Sequence, residues 1–130
     1  MENPELTRQF QIYEQQIMQT QEQLTAVVNS INNLREIKDG LNSLIGKTGT
    51  EIKAQVGRGI YLNAKLLNEE LIVDIGDKKF VTKSISEAQE LIRTQIDKLI
   101  EAEKKLSQDL KIIDQKITEL MAEYQNPEEK

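Results

Sequence analysis

Cysteine, histidine and tryptophan are all absent from this chain of 130 residues. Without cysteine it has no disulfide, thiol nucleophile or thiolate metal site, and without histidine it lacks the commonest general base and metal ligand. Few groups remain for catalysis, so we expect a protein that is not an enzyme and that has no metal and no cofactor. Aromatic residues make up only 4% of the chain, so the side chains that usually fill a globular core are scarce.

Long apolar runs are also missing. The chain has no stretch of about 18 apolar residues, and its first residues lack the charged-then-apolar pattern of a secretion signal. We therefore expect a cytoplasmic protein without membrane contact. The net charge of -5 disfavours nucleic acid as a partner, because binding to phosphates depends on clustered lysine and arginine.

What the chain does contain is a helical apolar pattern on both sides of a central segment. Residues 4–45 and 85–125 each predict a helix in which apolar residues recur at steps of four and three, which is the seam of a coiled coil. Asn3 and Pro4 suit the start of the first helix as N-cap and first-turn residue. Residues 126–130 predict a frayed tail.

The seam of the first helix has one polar position. It consists of Leu6, Phe10, Tyr13, Ile17, Thr20, Leu24, Val27, Ile31 and Leu34. The next apolar residues are Ile37, Leu41 and Leu44, and this spacing predicts that the rhythm loses one residue after Leu34.

The second helix carries the same rhythm and begins with a capping signal. Ser84 with Glu87, or Ser86 with Gln89, has the spacing of a capping box. Its seam consists of Ile85, Gln89, Ile92, Ile96, Leu99, Glu103, Leu106, Leu110, Ile113, Ile117, Leu120 and Tyr124.

In the central segment, residues 46–84, apolar residues alternate with polar ones, which predicts four short strands in two hairpins. A segment this short cannot bury an apolar face by itself, and its strand edges remain unpaired. We therefore expect the strands to form an oligomer interface. The interface residues predicted from the alternation are Ile52, Val56, Ile60, Leu62, Leu66, Leu71, Val73, Ile75 and Phe80.

Because the central segment reverses the chain, the two helices should pair antiparallel. Leu6 then faces Tyr124 and Leu34 faces Ile96, a register that covers both seams along their length. The predicted fold is mainly α with a small β insert: an antiparallel two-helix coiled coil joined by two β-hairpins, forming one domain over residues 1–130.

One motif imitates a nucleotide site. Gly46-Lys47-Thr48 resembles the end of a phosphate-binding loop, but Leu41 occupies the position that requires glycine. The segment also follows a helix and precedes a strand, which is the reverse of the required order. We interpret it as a loop without bound phosphate.

The central string LLNEELIVDIGDKKFVTKSISEAQELI, between two heptad arms of equal length, resembles the alpha-class subunits of archaeal prefoldin. The resemblance covers nearly the whole chain, and its most specific part is residues 72–76. It implies a hexamer of two alpha-class and four beta-class subunits, whose hairpins form a double barrel from which the coiled coils project. It also implies binding of unfolded proteins at the coiled-coil tips and their delivery to a group II chaperonin, without ATP.

Apolar residues near the free ends of the helices agree with that expectation. Flexible methionines beside the seam suit contact with many different clients. The candidate client-binding residues are Leu6, Phe10, Ile12, Tyr13, Ile17, Met18, Ile117, Leu120, Met121 and Tyr124. The other interpretation is that Ile12 and Met18 widen the core of the coil.

Two further functions stay open at this point. A homo-oligomeric prefoldin relative would use the same insert to build rings or filaments. A structural scaffold or tether would use the arms as a spacer and would not require a beta-class partner.

Overall fold

The computed structural model describes residues 3–125, in which two long helices flank four strands. The elements are α1 (Pro4–Asn42), β1 (Glu51–Gly57), β2 (Ile60–Lys65), β3 (Glu70–Asp74), β4 (Phe80–Ser84) and α2 (Ile85–Gln125). This is the predicted fold class. The tail predicted at residues 126–130 lies outside the described residues.

Side-chain caps define both ends of α1. The Asn3 carboxamide oxygen accepts hydrogen bonds from the backbone N–H groups of Glu5 and Leu6, at 3.1 and 3.3 Å, which confirms the predicted N-cap. The helix ends at Asn42, three residues before the predicted Ile45. There the Ser43 hydroxyl donates to the carbonyl of Gly40 at 2.6 Å, and the chain leaves through turns that bring Gly46 to a φ of 75°.

Strands β1 and β2 form hairpin one. Ile52 lies opposite Ala64 and Ala54 opposite Leu62, and the two-residue turn between Gly57 and Ile60 has Gly59 at a φ of 73°. The register shifts between Gln55 and Gly57, so the intervening residue is the extra one of a β-bulge.

Strands β3 and β4 form hairpin two. Val73 lies opposite Val81, and the tight turn at the end of the hairpin has Asp77 and Lys78 at φ values of 49° and 59°. The backbone N–H of Lys79 donates to the carbonyl of Gly76 at 2.9 Å. Two consecutive positive φ values with this hydrogen bond define a type I′ turn, the form that matches the twist of paired strands.

Each hairpin is a separate two-stranded sheet in the described part of the chain. Both edges of each sheet therefore lack a partner strand within residues 3–125. An isolated two-stranded hairpin is marginally stable in water, so this arrangement favours completion of the sheets by another chain.

The seam prediction is confirmed by burial along both helices, with one correction near the insert. Residues at the predicted seam positions are buried or half-buried, except Ile37 and Tyr124, which are exposed. Ile37 is 52% exposed, whereas the neighbouring Lys38 is half-buried. The predicted loss of one residue after Leu34 is therefore wrong, because α1 keeps its heptad phase and places Lys38 in the seam.

A cross-helix hydrogen bond accompanies this correction. The Gln89 side-chain amide donates to the carbonyl of Lys38 at 3.2 Å, so a polar seam residue of α2 holds the backbone of α1. Gln89 thus does not complete a capping box with Ser86, one of the two predicted alternatives.

The chain divides into two compact units. The first, unit one, combines residues up to Ile31 with those from Asp97 onward, and the second, unit two, is Asn32–Ile96. Unit one therefore brings the N-terminal part of α1 together with the C-terminal part of α2, as an antiparallel pair requires. Unit two contains both hairpins and the ends of the helices that adjoin them.

The capping box of Ser84 and Glu87 is present at the start of α2. The backbone N–H of Glu87 donates to the Ser84 hydroxyl at 3.1 Å, and the backbone N–H of Ser84 donates to the Glu87 carboxylate at 3.3 Å. The pKa of the Glu87 carboxyl is lowered, first by the hydrogen bond that its carboxylate accepts from the Ser84 backbone N–H and then by its interaction with the Ser84 hydroxyl.

We expect Ser84→Ala to lower the free energy of unfolding by about 1 kcal/mol, because the first turn of α2 loses its cap.

Since the folded state lowers the pKa of Glu87, the carboxylate stabilises the fold above its unfolded pKa, and this stabilisation disappears as the pH falls through the folded pKa. Urea unfolding at pH 7 and at acidic pH checks both statements. Glu87→Gln should lose less stability on acidification than the natural chain, and an equal loss would contradict the assignment.

Candidate interaction surfaces

One face of hairpin two, called here its outer face, carries large apolar side chains exposed to solvent. Ile72 is 79% exposed and Phe80 is 62% exposed. Ile72 lies opposite Thr82, and Phe80 opposite Asp74, so all four residues share one face of the hairpin. Phe80 was predicted for an interface, whereas alternation analysis missed Ile72. The continuous run of Leu71, Ile72 and Val73 was the available signal, because strands covered on both faces have such runs.

The opposite face of hairpin two is turned toward the helices of its own unit. Leu71 and Val73 are half-buried there and line an apolar groove of about 360 Å³. The groove is lined by Ile37, Leu41, Leu71, Ile72, Val73, Asp74, Ala88, Leu91 and Ile92. Leu71 and Val73 were predicted to contact a partner together with Phe80, but Phe80 lies on the other face.

Hairpin one has a single apolar face, as predicted. Its register places Ile52, Ala54, Leu62 and Ala64 on one face, with charged and polar residues on the other. Leu62 is exposed, whereas the other three are half-buried.

The remaining predicted interface residues lie at the ends of the strands. Val56 and Ile60, on either side of the turn of hairpin one, are exposed. Ile75, just after β3, is also exposed, and Leu66, just after β2, is half-buried. Leu67, which follows Leu66 and was not among the predicted residues, is more exposed still.

A hydrogen bond joins the end of α1 to the connection between the hairpins. The backbone N–H of Gly46 donates to the Glu69 carboxylate at 2.5 Å. The glycine of the Gly46-Lys47-Thr48 motif therefore binds a carboxylate of the same chain, so its N–H is not presented to a nucleotide.

The ten candidate client-binding residues fall into two groups in unit one. Those exposed are Ile12, Met18, Met121 and Tyr124. Leu120 is buried, and Leu6, Phe10, Tyr13, Ile17 and Ile117 are half-buried in the seam. Only the first group is accessible without opening the coil. Ile112, which sequence reasoning did not single out, is a further exposed apolar residue of this unit.

Met18 has the most accessible side chain of this exposed group, at 63%. With Gln21, Glu22 and Thr25 it lines an open groove of about 360 Å³. A flexible thioether beside two uncharged polar side chains and a single carboxylate can adapt to different apolar partners.

Within residues 3–125, His, Cys, Asp and Glu side chains form no group of three or more that could hold a metal ion. In the same residues, neither helix is apolar over a length sufficient to cross a bilayer.

Two long helices with a pair of small β-hairpins between them define a coiled-coil assembly protein of the prefoldin type. A family model described as "Prefoldin subunit" matches residues 13–130, and the chain belongs to the prefoldin family. This is a family of chaperones rather than enzymes, and its alpha-class members form oligomeric assemblies.

Individual relatives agree with this assignment. The chain is 27% identical to "Prefoldin subunit alpha 1" of Methanocaldococcus jannaschii over 89% of this chain and 80% of that protein. It is 33% identical to "Prefoldin subunit alpha" of Methanobrevibacter smithii over 70% of this chain, and it spans 63% of that relative's length.

A solved structure shows the same fold. It is the cryo-EM structure of filamentous PFD from Methanocaldococcus jannaschii, which matches with a TM-score of 0.78 at 24% identity. The match covers 90% of this chain and 98% of the other.

Proposed function

We propose that this chain is an alpha-class subunit of a cytoplasmic prefoldin hexamer, two alpha-class subunits with four of the beta class. The hexamer holds unfolded proteins at its coiled-coil tips and passes them to a group II chaperonin without ATP. The observation that carries the proposal is the combination of two unpaired two-stranded sheets in unit two with exposed apolar side chains in unit one.

Each part of this combination supports one step of the function. Ile72 and Phe80 place two large, exposed apolar side chains on one face of hairpin two, and partner strands that cover them would also pair the free edges. Met18, Met121 and Tyr124 give unit one adaptable apolar contacts for a client. Binding and release then need only reversible apolar contact, so no catalytic group is required.

Co-expression with a beta-class subunit tests the assembly. We expect light scattering to give the mass of a hexamer with the two subunits in a ratio of two to four, and the hexamer to suppress aggregation of a denatured protein without nucleotide. A beta-class subunit that does not co-purify would refute the hexamer. A hexamer that fails to suppress aggregation would refute the client-binding step alone.

Transfer to a chaperonin needs its own measurement. A labelled unfolded protein bound to the hexamer should move to a group II chaperonin faster than it appears free in solution. Transfer at the rate of spontaneous release would remove the delivery step from the proposal.

Self-assembly is the second candidate function, favoured by the similarity to a prefoldin structure described as filamentous. In that case the chain alone, without beta-class subunits, should give masses of many copies. The same light-scattering measurement on the chain alone separates the two candidates.

A further inference from the structure

Methionine is the only sulfur-containing residue of this chain. Cysteine, on which redox-sensitive sites usually depend, is absent, and methionine occurs three times. Met18 and Met121 lie within the described residues, and both belong to unit one. Oxidisable sulfur in the described part of the chain is therefore confined to the unit that carries the candidate client-binding residues.

Both methionine side chains are accessible in the folded chain. Met18 is 63% exposed and Met121 is 45% exposed. Each follows a residue of the seam, the half-buried Ile17 in α1 and the buried Leu120 in α2. A small oxidant therefore reaches both methionines without opening the coil, and an oxygen atom added to either of them does not enter the seam.

Oxidation changes the polarity of these side chains. Hydrogen peroxide transfers one oxygen atom to the thioether: the S–O bond forms as the O–O bond breaks, the sulfur gives up two electrons, and the peroxide is reduced to water. The sulfoxide is polar, so an apolar client side chain that covers it leaves the added oxygen without a hydrogen bond. A sulfoxide reductase reverses the change, because two thiols form a disulfide and the oxygen leaves as water.

The groove at Met18 contains hydrogen-bond donors for a sulfoxide. Gln21 and Thr25 line this groove together with Met18. An amide N–H and a hydroxyl both donate hydrogen bonds, which the sulfoxide oxygen accepts. Once oxidised, Met18 therefore finds polar partners on its own helix instead of an apolar partner on a client.

We propose that Met18 and Met121 form a redox-sensitive modification site, at which a peroxide oxidises both thioethers to sulfoxides and thereby weakens client binding. This rests on the proposed function, because it regulates residues of the same client-binding surface. The fold and the assembly of subunits are unaffected, since neither methionine lies in the seam or in the hairpins.

Treatment of the assembled hexamer with hydrogen peroxide tests the site. Mass spectrometry of proteolytic peptides should show one added oxygen on Met18 and one on Met121. Light scattering of a denatured protein should then show a client affinity lowered about fivefold, with unchanged helical circular dichroism and hexamer mass. A methionine sulfoxide reductase with a dithiol should restore the affinity. Replacing both methionines by glutamine, a polar side chain of similar length, should lower the affinity without peroxide.

The matched control is the double variant Met18→Leu and Met121→Leu, because leucine is apolar and is not oxidised by peroxide. This variant keeps Met1 and assembles with the same beta-class subunits, so it reports the effect of oxidation elsewhere in the hexamer. Each protein is compared with itself before and after peroxide, so a different starting affinity of the variant does not enter the comparison. The variant should keep its affinity after treatment.

Three results would overturn the proposal. They are methionines that take up no oxygen in the folded hexamer, an unchanged client affinity after both are oxidised, or an equal loss of affinity in the leucine variant. Any of these leaves the proposed function standing if the untreated hexamer suppresses aggregation. A hexamer that suppresses no aggregation before treatment refutes the client-binding step, and this inference with it.

Discussion

Replacing Ile12, Met18, Met121 and Tyr124 together by serine is expected to abolish suppression of aggregation while the hexamer still forms. All four side chains are exposed in unit one, so their replacement removes apolar contact surface without opening the seam. Apolar burial contributes roughly 25 cal/mol per Å², so four such side chains supply several kcal/mol to a client contact. We expect at least a tenfold loss of client affinity, measured by light scattering of a denatured protein at increasing hexamer concentration.

The control makes the same number of changes on the same unit but replaces polar side chains instead of apolar ones. Gln15, Gln19, Lys116 and Glu123 are exposed polar residues of unit one, and their joint replacement by serine should leave suppression intact. Retained suppression in the apolar variant would mean that clients bind elsewhere. An equal loss in both variants would point to a general disturbance of the coiled coil. Circular dichroism of the assembled hexamer checks for this disturbance, because an unchanged helical signal excludes it.

The two helices could be predicted closely because each seam is covered by the other helix, which makes apolarity a direct measure of burial. Thr20, Gln89 and Glu103 are half-buried as their heptad positions require, although none is apolar. Apolarity did not predict burial at Lys38, because a pattern of apolar residues does not include lysine. Its long aliphatic stem can lie in a seam while the ammonium group reaches water, so helix phase decided its position and left Ile37 outside.

The hairpins were less predictable because alternation assumes that a strand has one apolar and one polar face. Hairpin one obeys this rule along its paired residues, where Ile52, Ala54, Leu62 and Ala64 share one face, whereas the predicted Val56 is the extra residue of the bulge. In hairpin two, Leu71 and Val73 face the helices of the same unit while Ile72 and Phe80 are exposed on the other face. No local pattern distinguishes contact with the chain's own helices from contact with a second subunit. The bulge between Gln55 and Gly57 likewise depends on pairing with β2.

This two-faced hairpin leads to the second large effect, on assembly. Ile72→Asp and Phe80→Asp should each prevent incorporation of the chain into the hexamer, because a carboxylate without a partner would be buried against the beta-class strands. Burying an unpaired charge costs several kcal/mol, enough to dissociate the complex at micromolar concentration. Because both side chains are exposed in the chain itself, its own fold should survive the change.

Co-purification with a tagged beta-class subunit, followed by mass measurement, checks this result. Asn63→Asp is the matched control: it adds the same charge to a hairpin, but on the polar face of hairpin one, and should still give a hexamer.

Leu71→Ala should differ from both, because Leu71 is half-buried against the groove of its own unit. It should lower the free energy of unfolding while leaving the subunit ratio unchanged. If Ile72→Asp and Phe80→Asp assemble normally and Leu71→Ala does not, the assembly face of hairpin two is the one turned toward the helices, and the assignment of its two faces is reversed.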